Sequence, residues 1–580
     1  YREDMMDNAI SLIDADRQKP ADERFKWTVD GWLTKADILG PLQTPERKRK
    51  IEQAIKEGAI SVHALPANME SDVMEQEDYA RSLIFTSQID REYGLPLSIA
   101  AKMTDVPAHS WFLPTLLHNA GIKFLQLGCN YTDQPVRLPQ LFWWEGPDGS
   151  RILCNYTPHY GSDLMPPKDW PSKNYLAVTM SHDNSGPPSA KEVEELRNGN
   201  SRSSLEMQLK GWSGDKNVQY DTTMESLVKN KMVKIHFATL DEFADAVLAE
   251  KPDLPVIRGD MVDPWIHGVM AMPQESKTAR NVRPLEPALD IFNTELKNWG
   301  IATTPLTAPL AKAYENSMLF SEHTFGASGP GNGFFSADGK TNLPDSQRFL
   351  YNDAFVKARK EGFYKKFEAS FRDKARYIEI TDSIVTNYLA SRLKLLSDNV
   401  KTNAGNIIVY NPLPWMRSGV VDINGEKILA QNVPANGYIV INPSKLAQTK
   451  AVSNITTLNT PFYTAKFDTQ KGGITSLIEK STGKELVDQK SKYVLGQYLH
   501  ERFSYDQTKD YDDRAYKGTS AAIIKPNMPK DISYLATTLS DWTMKTTQSA
   551  VGTKVTFTTT NATPIAQAVS VSFTFPNAFP

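Results

Sequence analysis

Cysteine is almost absent from this chain of 580 residues, which contains only Cys129 and Cys154. Each lies in a strand-like apolar stretch, so we expect buried thiols and neither a disulfide framework nor a cysteine metal site. The sequence also has no run of about eighteen apolar residues, the length that a membrane-spanning helix requires. It therefore predicts no helix that crosses a membrane.

An excess of charge of one sign is missing as well. The 65 lysine and arginine residues nearly balance the 68 aspartate and glutamate residues, and the formal net charge is -3. No long basic run occurs, which argues against nucleic acid or an anionic membrane surface as a partner. An initiator methionine and a signal peptide are missing too, and the first residues are typical of the middle of a helix, so we expect both termini to be truncated.

Strands and helices alternate through residues 1–282. Helical patterns end at glycines such as Gly58 and Gly121, and strand-like apolar runs follow them. With about five parallel strands and a first strand missing, this order predicts a barrel-like (β/α)7 domain with helices outside the sheet. The predicted strands lie near 25–32, 59–66, 99–101, 122–127, 176–180 and 232–238, and a predicted hairpin joins 141–146 to 150–156.

The pattern changes twice in the rest of the chain. Helical patterns at 284–299, 306–322 and 347–398 predict a helical bundle over residues 283–403. Apolar and polar residues then alternate between glycine and asparagine turns through residues 404–580, which predicts one or more β-sandwiches. The fold class is therefore α/β plus all-β, in three successive domains.

The first candidate site is the loop that holds Asp105 and His109. This loop lies just past the carboxyl end of a predicted strand, where barrels and open α/β sheets place their chemistry. A carboxylate here can act in catalysis, and it can equally cap the helix that follows. The local pattern leaves both interpretations of Asp105 open.

Two further polar clusters lie just after predicted elements. His182 and Asp183 follow another predicted strand, and Glu322 and His323 follow a predicted helix, where a histidine can also be a simple C-terminal charge. Two facing carboxylates can act as nucleophile and general acid on a glycosidic bond, and a carboxylate with a histidine can hold a divalent metal. Spacing alone leaves open whether the clusters meet.

Three sequence segments together resemble glycoside hydrolase family 38, the α-mannosidase family, and more closely a bacterial branch allied to it. They are KMTDVPAHSWFLPTLLHNAGIKFL, VTMSHDNSGPP and MLFSEHTFGASG. The resemblance covers nearly the whole chain. It implies an α/β barrel-like domain with a zinc ion, then a three-helix bundle, then β-sandwiches.

The resemblance also implies roles for individual residues. Asp105 matches the aspartate that is both catalytic nucleophile and metal ligand, and Asp183 matches the acid/base aspartate. His323 matches a zinc-binding histidine, while His109 stands at the family's histidine in the first segment. The implied cofactor is Zn²⁺ or another divalent metal.

The match has gaps. The family's His-x-Asp pair on its first strand supplies two further metal ligands, and we expect such a pair upstream of Tyr1. Glu322 stands where the family has the first of two histidines, Thr324 where it has an aspartate, and Met272 where it has an arginine. These departures concern contacts to sugar hydroxyls more than the type of reaction.

The resemblance therefore implies a retaining, exo-acting, α-mannosidase-like hydrolase of oligosaccharides or polysaccharides. His109, Trp265, His267 and His63 are the candidate substrate-binding residues, although Trp265 could instead pack a domain junction and His63 could be a buried strand-end histidine. We expect a periplasmic or secreted location.

Two other classes of function remain open at the level of the sequence. A metal-dependent carbohydrate deacetylase would use a metal-bound water and need no nucleophile. A non-catalytic carbohydrate-binding protein would use the β-sandwiches and the 11 tryptophans, whose rings can stack on sugars. Replacement of Asp183 would then leave binding intact and have no activity to abolish.

Overall fold

The computed structural model forms two compact units. The first contains residues 1–290, 304–391 and 519–528, and the second contains residues 291–303, 392–518 and 529–580. The structure describes residues 2–106, 109–128, 138–139, 141–157, 163–164, 174–179, 187–198, 234–261, 271–326, 357, 359–362, 364–423, 426–443, 455–497, 499–501, 547–549, 556–562 and 567–572. None of the described helices combines the length and the apolar character that crossing a membrane demands.

Helices and strands alternate in the amino-terminal part of the chain, as the sequence predicts. The helices are α1 (Arg2–Asp16), α2 (Gly31–Leu33), α3 (Pro45–Lys56), α4 (Gln76–Ser82), α5 (Ile84–Tyr93), α6 (Leu113–Asn119), α7 (Ala190–Arg197) and α8 (Leu240–Ala249). The strands are β1 (Trp27–Val29), β2 (Ile60–Val62), β3 (Ala100–Thr104), β4 (Phe124–Gly128), β5 (Leu141–Glu145), β6 (Arg151–Thr157), β7 (Asp163–Leu164), β8 (Asn174–Thr179), β9 (Lys234–Ala238) and β10 (Val256–Arg258).

The largest described sheet has five strands in the order β10-β5-β6-β4-β3. Strand β4 runs parallel to both β3 and β6, whereas β5 and β6 form the predicted antiparallel hairpin. Gly149 makes this hairpin turn possible with a φ of 85°, a value that an L side chain rarely adopts. The mixed α/β character is confirmed, and the closed (β/α)7 barrel stays a prediction.

Two smaller sheets continue the pattern of parallel pairs. Strand β1 pairs with β2 and strand β8 pairs with β9, both in parallel. The end of β2 lies beside the start of β3, because the Ala64 N–H donates to the Ala100 carbonyl at 2.9 Å and the Ser98 hydroxyl donates to the Val62 carbonyl at 2.7 Å. The segment that follows β2 therefore runs beside β3 towards the carboxyl end of that strand.

Apolar side chains cover both faces of the large sheet. On one face Met103, Leu125 and Cys154 belong to the same buried cluster as Leu113 and Leu117 of α6. The thiol of Cys154 is free and buried, as the sequence predicts, whereas Cys129 lies outside the described residues. On the other face a second cluster contains Ala100, Phe124, Leu141, Leu153 and the α8 residues Leu240, Phe243, Ala244 and Val247.

Thr239 and Asp241, at the start of α8, are both residue types that can cap a helix. Thr239 caps the helix in a reciprocal capping box with Glu242. Asp241, the other candidate, instead accepts the backbone N–H groups of Ile99 at 3.2 Å and Ala100 at 2.9 Å. It therefore fixes the start of β3, the strand that leads to the candidate site.

The described helices that follow are α9 (Pro273–Val282), α10 (Leu285–Asn298), α11 (Thr307–Ser321) and α12 (Lys365–Asn399). Their apolar faces meet in a cluster that includes Leu289, Leu310, Phe320, Ile378 and Val385. Helices α10, α11 and α12 agree with the helical pattern after residue 283, whereas α9 lies before that pattern begins. The predicted start of the last helix, at 347–356, lies outside the described residues.

A buried ion pair holds the carboxyl end of α11 against α4. The Arg283 guanidinium lies 3.0 Å from the Asp78 carboxylate, and both side chains are almost completely buried. Arg283 also donates to the Ser317 carbonyl at 3.0 Å and to the Ser321 hydroxyl. Because an isolated buried charge is costly, the pair makes this helix end a fixed support for the residues that follow it.

The carboxy-terminal strands belong to the second unit and pair only in antiparallel fashion within the described ranges. They are β11 (Ile407–Asn411), β12 (Arg417–Ile423), β13 (Glu426–Val433), β14 (Gly437–Ile441), β15 (Thr457–Asn459), β16 (Tyr463–Asp468), β17 (Gly473–Glu479), β18 (Leu499–Glu501), β19 (Thr547–Ser549), β20 (Thr556–Ala562) and β21 (Gln567–Ser572). The packing of these pairs into sandwiches stays a prediction, as does the division into three domains.

Candidate functional site

Asp105 directly follows β3, whose five residues are all buried. Its φ of 67° is left-handed, which is uncommon for a residue with a side chain, and its N–H donates to the Gly128 carbonyl at 3.0 Å. Helix α6 begins only at Leu113, after Phe112 at the cap position, and no side chain caps it. The capping interpretation of Asp105 is therefore wrong.

His323 meets Asp105 across 218 positions of sequence. Its Nε2 lies 2.9 Å from Oδ2 of Asp105. The two side chains are only 8% and 11% exposed, so solvent screens their interaction weakly. The structure thus brings together a carboxylate and an imidazole from two of the three polar clusters.

Glu322 and Lys374 surround the other side of the imidazole. Oε1 of Glu322 lies 2.7 Å from Nδ1 of His323, and the buried Lys374 ammonium donates to the Glu322 main-chain carbonyl at 2.6 Å. Burial alone would raise the pKa of Glu322, but Lys374, His323 and hydrogen bonds from His323 and Thr324 outweigh it and lower the pKa to about 2. Glu322 is therefore a carboxylate at any working pH.

Lys374 is a site residue that the sequence does not reveal. It lies within α12, where a lone lysine usually points to solvent, yet its side chain is only 6% exposed. Its ammonium also donates to the Leu319 carbonyl at 3.0 Å, so it satisfies carbonyl groups at the end of α11. No local pattern distinguishes it from the other lysines of this helix.

His109 is fully buried and is fixed by its surroundings. Its backbone pairs with Met261 in both directions, at 2.7 and 3.0 Å, and its Nδ1 lies 3.3 Å from the Ser71 hydroxyl. Burial lowers the pKa of His109 to about 3, against a smaller opposing effect of the Val106 carbonyl. The imidazole is therefore neutral at physiological pH.

We expect this buried imidazole to destabilise the protein in acid. The unfolded chain takes up a proton on His109 below its ordinary pKa of 6.5, whereas the folded chain does so only near 3. The contribution of His109 to the free energy of unfolding is therefore complete above pH 6.5. It is lost as the pH falls towards 3, by at most about 1.4 kcal/mol per pH unit.

Chemical denaturation at several pH values tests this expectation. His109→Gln should flatten the dependence of unfolding free energy on pH in this window, and the exposed His118, replaced in the same way, serves as the control. Equal slopes for the wild type and His109→Gln would contradict the assignment.

His63 is the buried strand-end histidine that the sequence offered as one interpretation. The Leu65 N–H donates to its Nδ1 at 3.3 Å, so the ring proton resides on Nε2, which lies 2.9 Å from Oδ1 of Asp30. Burial lowers the pKa of His63, and Asp30 opposes this effect only in part.

Three buried polar side chains lie side by side on one face of the large sheet. Lys102, Gln126 and Asn155 are paired across β3, β4 and β6 and are at most 1% exposed. The Lys102 ammonium donates to the Thr104 hydroxyl at 3.1 Å. The sequence shows Lys102 inside a strand, but only the sheet register brings these three polar side chains together.

The remaining candidate residues cannot be placed. Asp183, Trp265 and His267 lie outside the described residues. Within the part of the chain that the structure describes, no group of three or more His, Cys, Asp or Glu could hold a metal ion. Asp105 and His323 nonetheless offer one oxygen and one nitrogen side by side, which are ligand types that zinc accepts.

Comparison with known proteins agrees with this architecture. The family model of the glycosyl hydrolases family 38 N-terminal domain matches residues 4–265. No curated protein matches the chain.

Two solved structures share the fold. An α-mannosidase from Enterococcus faecalis V583 is 11% identical, with a TM-score of 0.55 over 96% of this chain and 69% of that one. A protein in the glycosyl hydrolase family 38 from Enterococcus faecalis is 10% identical, with a TM-score of 0.50 over 96% of this chain and 68% of that one. Residues 4–265 are therefore similar to the amino-terminal domain of glycosyl hydrolase family 38, and the chain shares the fold of these two structures.

Proposed function

We propose that this chain is a retaining, exo-acting, α-mannosidase-like hydrolase that cleaves α-glycosidic bonds of oligosaccharides or polysaccharides with a bound divalent metal. The observation that carries the proposal is the 2.9 Å contact between Asp105 and His323 beyond the end of β3. Nothing in the local sequence requires these two residues to meet, so their convergence favours a shared task.

Asp105 is the nucleophile in this proposal. Its carboxylate oxygen forms a bond to the anomeric carbon while the bond from that carbon to the leaving oxygen breaks, which gives a covalent glycosyl ester. The left-handed backbone supports this role, because such conformations persist only where the surrounding structure holds them and often occur at active sites.

Asp183 is the proposed acid and base. It donates a proton to the leaving oxygen in the first step and accepts one from the water that hydrolyses the ester in the second. Retention requires the carboxyl groups of Asp105 and Asp183 to lie about 5 to 5.5 Å apart. Its assignment rests on the resemblance of its segment to the family.

Asp105 and His323 would hold the divalent metal, with two further ligands from elsewhere in the protein. When bound, such a metal polarises sugar hydroxyls as a Lewis acid. Glu322 and Lys374 support His323 in this role, since a carboxylate beside the second ring nitrogen orients a ligating histidine.

The other candidate residues have proposed roles around the sugar. Trp265 and His267 would line the subsite. His63 and His109 are buried, so their contribution to substrate binding would pass through the groups that they contact, Asp30 and Ser71. A periplasmic or secreted location suits such a substrate.

A panel of aryl α-glycosides tests the proposal. We expect release of the aryl group from α-mannosides or a related α-glycoside, and NMR of the first product should show the α-anomer because two displacements restore the configuration. Initial formation of the β-anomer would exclude the retaining mechanism. Release of acetate from acetylated sugars, without cleavage of any glycoside, would instead support the deacetylase.

A further inference from the structure

We propose that Asn68 is a positioning residue that holds Asp105 and His323 at their mutual distance. The inference rests on the proposed function for its catalytic consequence, while its structural content stands on hydrogen bonds alone. Asn68 lies in the loop after β2, is 6% exposed and contacts the chain on both sides of the candidate site.

The side chain of Asn68 binds the residue before Asp105. Its Oδ1 accepts the Thr104 N–H at 3.0 Å and the Thr104 hydroxyl at 3.3 Å. A backbone N–H can only donate, so the carboxamide oxygen and not the nitrogen must face Thr104. The orientation of the Asn68 amide is thus fixed by chemistry.

The buried Lys102 determines which group donates in the contact between Thr104 and Asn68. Its ammonium can only donate, and it donates to the Thr104 hydroxyl at 3.1 Å. The Thr104 hydroxyl must then donate its own hydrogen bond to Oδ1 of Asn68. Three residues therefore form one hydrogen-bonded chain that ends on the Asn68 carboxamide oxygen.

The main chain of Asn68 binds the other partner. Its carbonyl accepts the His323 N–H at 3.0 Å, and the next residues continue an antiparallel contact in which Met69 bridges Glu322 and the Glu70 N–H donates to the Ser321 carbonyl at 2.9 Å. The loop after β2 thus runs beside the segment that carries His323.

These two contacts define the proposed role. The bond to Thr104, together with the Asp105 N–H bond to Gly128, fixes the backbone that leads into the left-handed φ at Asp105. The bond to His323 fixes the imidazole relative to the same loop. Without the Asn68 carboxamide the backbone before Asp105 would be held less firmly. The hydrogen bond from the His323 N–H to the Asn68 main-chain carbonyl would remain.

Asn68→Ala and Asn68→Asp test the proposal as a pair. Asn68→Ala removes the acceptor and should lower kcat by about tenfold or more with KM within about twofold, because small displacements of reacting groups carry large rate costs. Asn68→Asp keeps an acceptor oxygen at the same position and should recover most of the lost rate. Thermal unfolding of both variants accompanies the kinetics.

Amide hydrogen exchange supplies a readout that does not depend on activity. We expect faster exchange in the peptide over residues 100–106 for Asn68→Ala and wild-type exchange for Asn68→Asp. If the wild type proves to lack glycosidase activity, the proposed function fails, while the exchange result still decides whether Asn68 holds Thr104.

Asn293→Ala is the matched control. Asn293 is also a buried asparagine whose Oδ1 accepts a hydrogen bond, from Arg392 at 2.8 Å, and it belongs to the second unit. An equal fall in kcat for Asn293→Ala and Asn68→Ala would overturn the positioning role, as would unchanged exchange over residues 100–106 in Asn68→Ala.

Discussion

Asp105→Asn should abolish glycoside hydrolysis, with kcat/KM at least about a thousandfold lower than in the wild type. The amide cannot form the glycosyl ester that the retaining mechanism requires. A loss of this size corresponds to about 4 kcal/mol of transition-state stabilisation. Steady-state kinetics with an activated aryl α-glycoside measures it.

The choice of asparagine keeps the fold intact. Asparagine tolerates the left-handed backbone that Asp105 adopts, and it has nearly the same shape. Asp14→Asn, a change of the same kind at a surface position in α1, should leave kcat/KM unaltered. Retention of more than a tenth of the wild-type activity in Asp105→Asn would exclude Asp105 as the nucleophile.

Covalent trapping would identify the nucleophile directly. A slow substrate with fluorine at C2 and a good leaving group should leave its glycosyl group esterified to the Asp105 carboxylate. Mass spectrometry should then show the added mass on the proteolytic peptide that contains residue 105. A label on any other residue would reassign the nucleophile.

Thorough removal of divalent metal should lower activity by more than about a hundredfold, and added Zn²⁺ or another divalent metal should restore it. The metal would act as a Lewis acid at the sugar hydroxyls, and its contribution would be largest in the transition state. Activity before and after chelation, with metal content measured on the same samples, tests this expectation.

His323→Ala should reproduce much of the effect of chelation. It removes the imidazole that lies against Asp105, so both the bound metal per chain and kcat should fall. His118→Ala, on the exposed side of α6, is the control of the same residue type. Full activity after exhaustive chelation, or unchanged metal content in His323→Ala, would contradict the metal-dependent mechanism.

Local sequence patterns predicted the elements best where one signal was strong. The hairpin between β5 and β6 follows from Pro147, Asp148 and Gly149 between two apolar runs, and the first two helices after residue 283 agree with the pattern to within a residue at each end. The pattern over residues 74–93 predicts a single helix, whereas the structure has two helices there, α4 and α5. Ser82 ends the first of them, where its hydroxyl donates to the Tyr79 carbonyl at 2.6 Å.

The candidate site was predictable in its parts and not in its assembly. The position of Asp105 after an apolar run suggested either a cap or a catalytic acid, and only the true start of α6 excluded the cap. Asn68 and Lys374 carried no signal, because an asparagine in a loop and a lysine in a helix are ordinary there.

The sequence by itself determined the order of α/β, helical and all-β regions, since hydrophobic periodicity and turn residues act over a few neighbouring positions. It also determined, through its likeness to a family, which residue types deserve attention. Only the tertiary structure decided that Asp105 and His323 touch and that Asn68 links them. Contacts between distant residues depend on how whole elements pack, and no local pattern encodes that geometry.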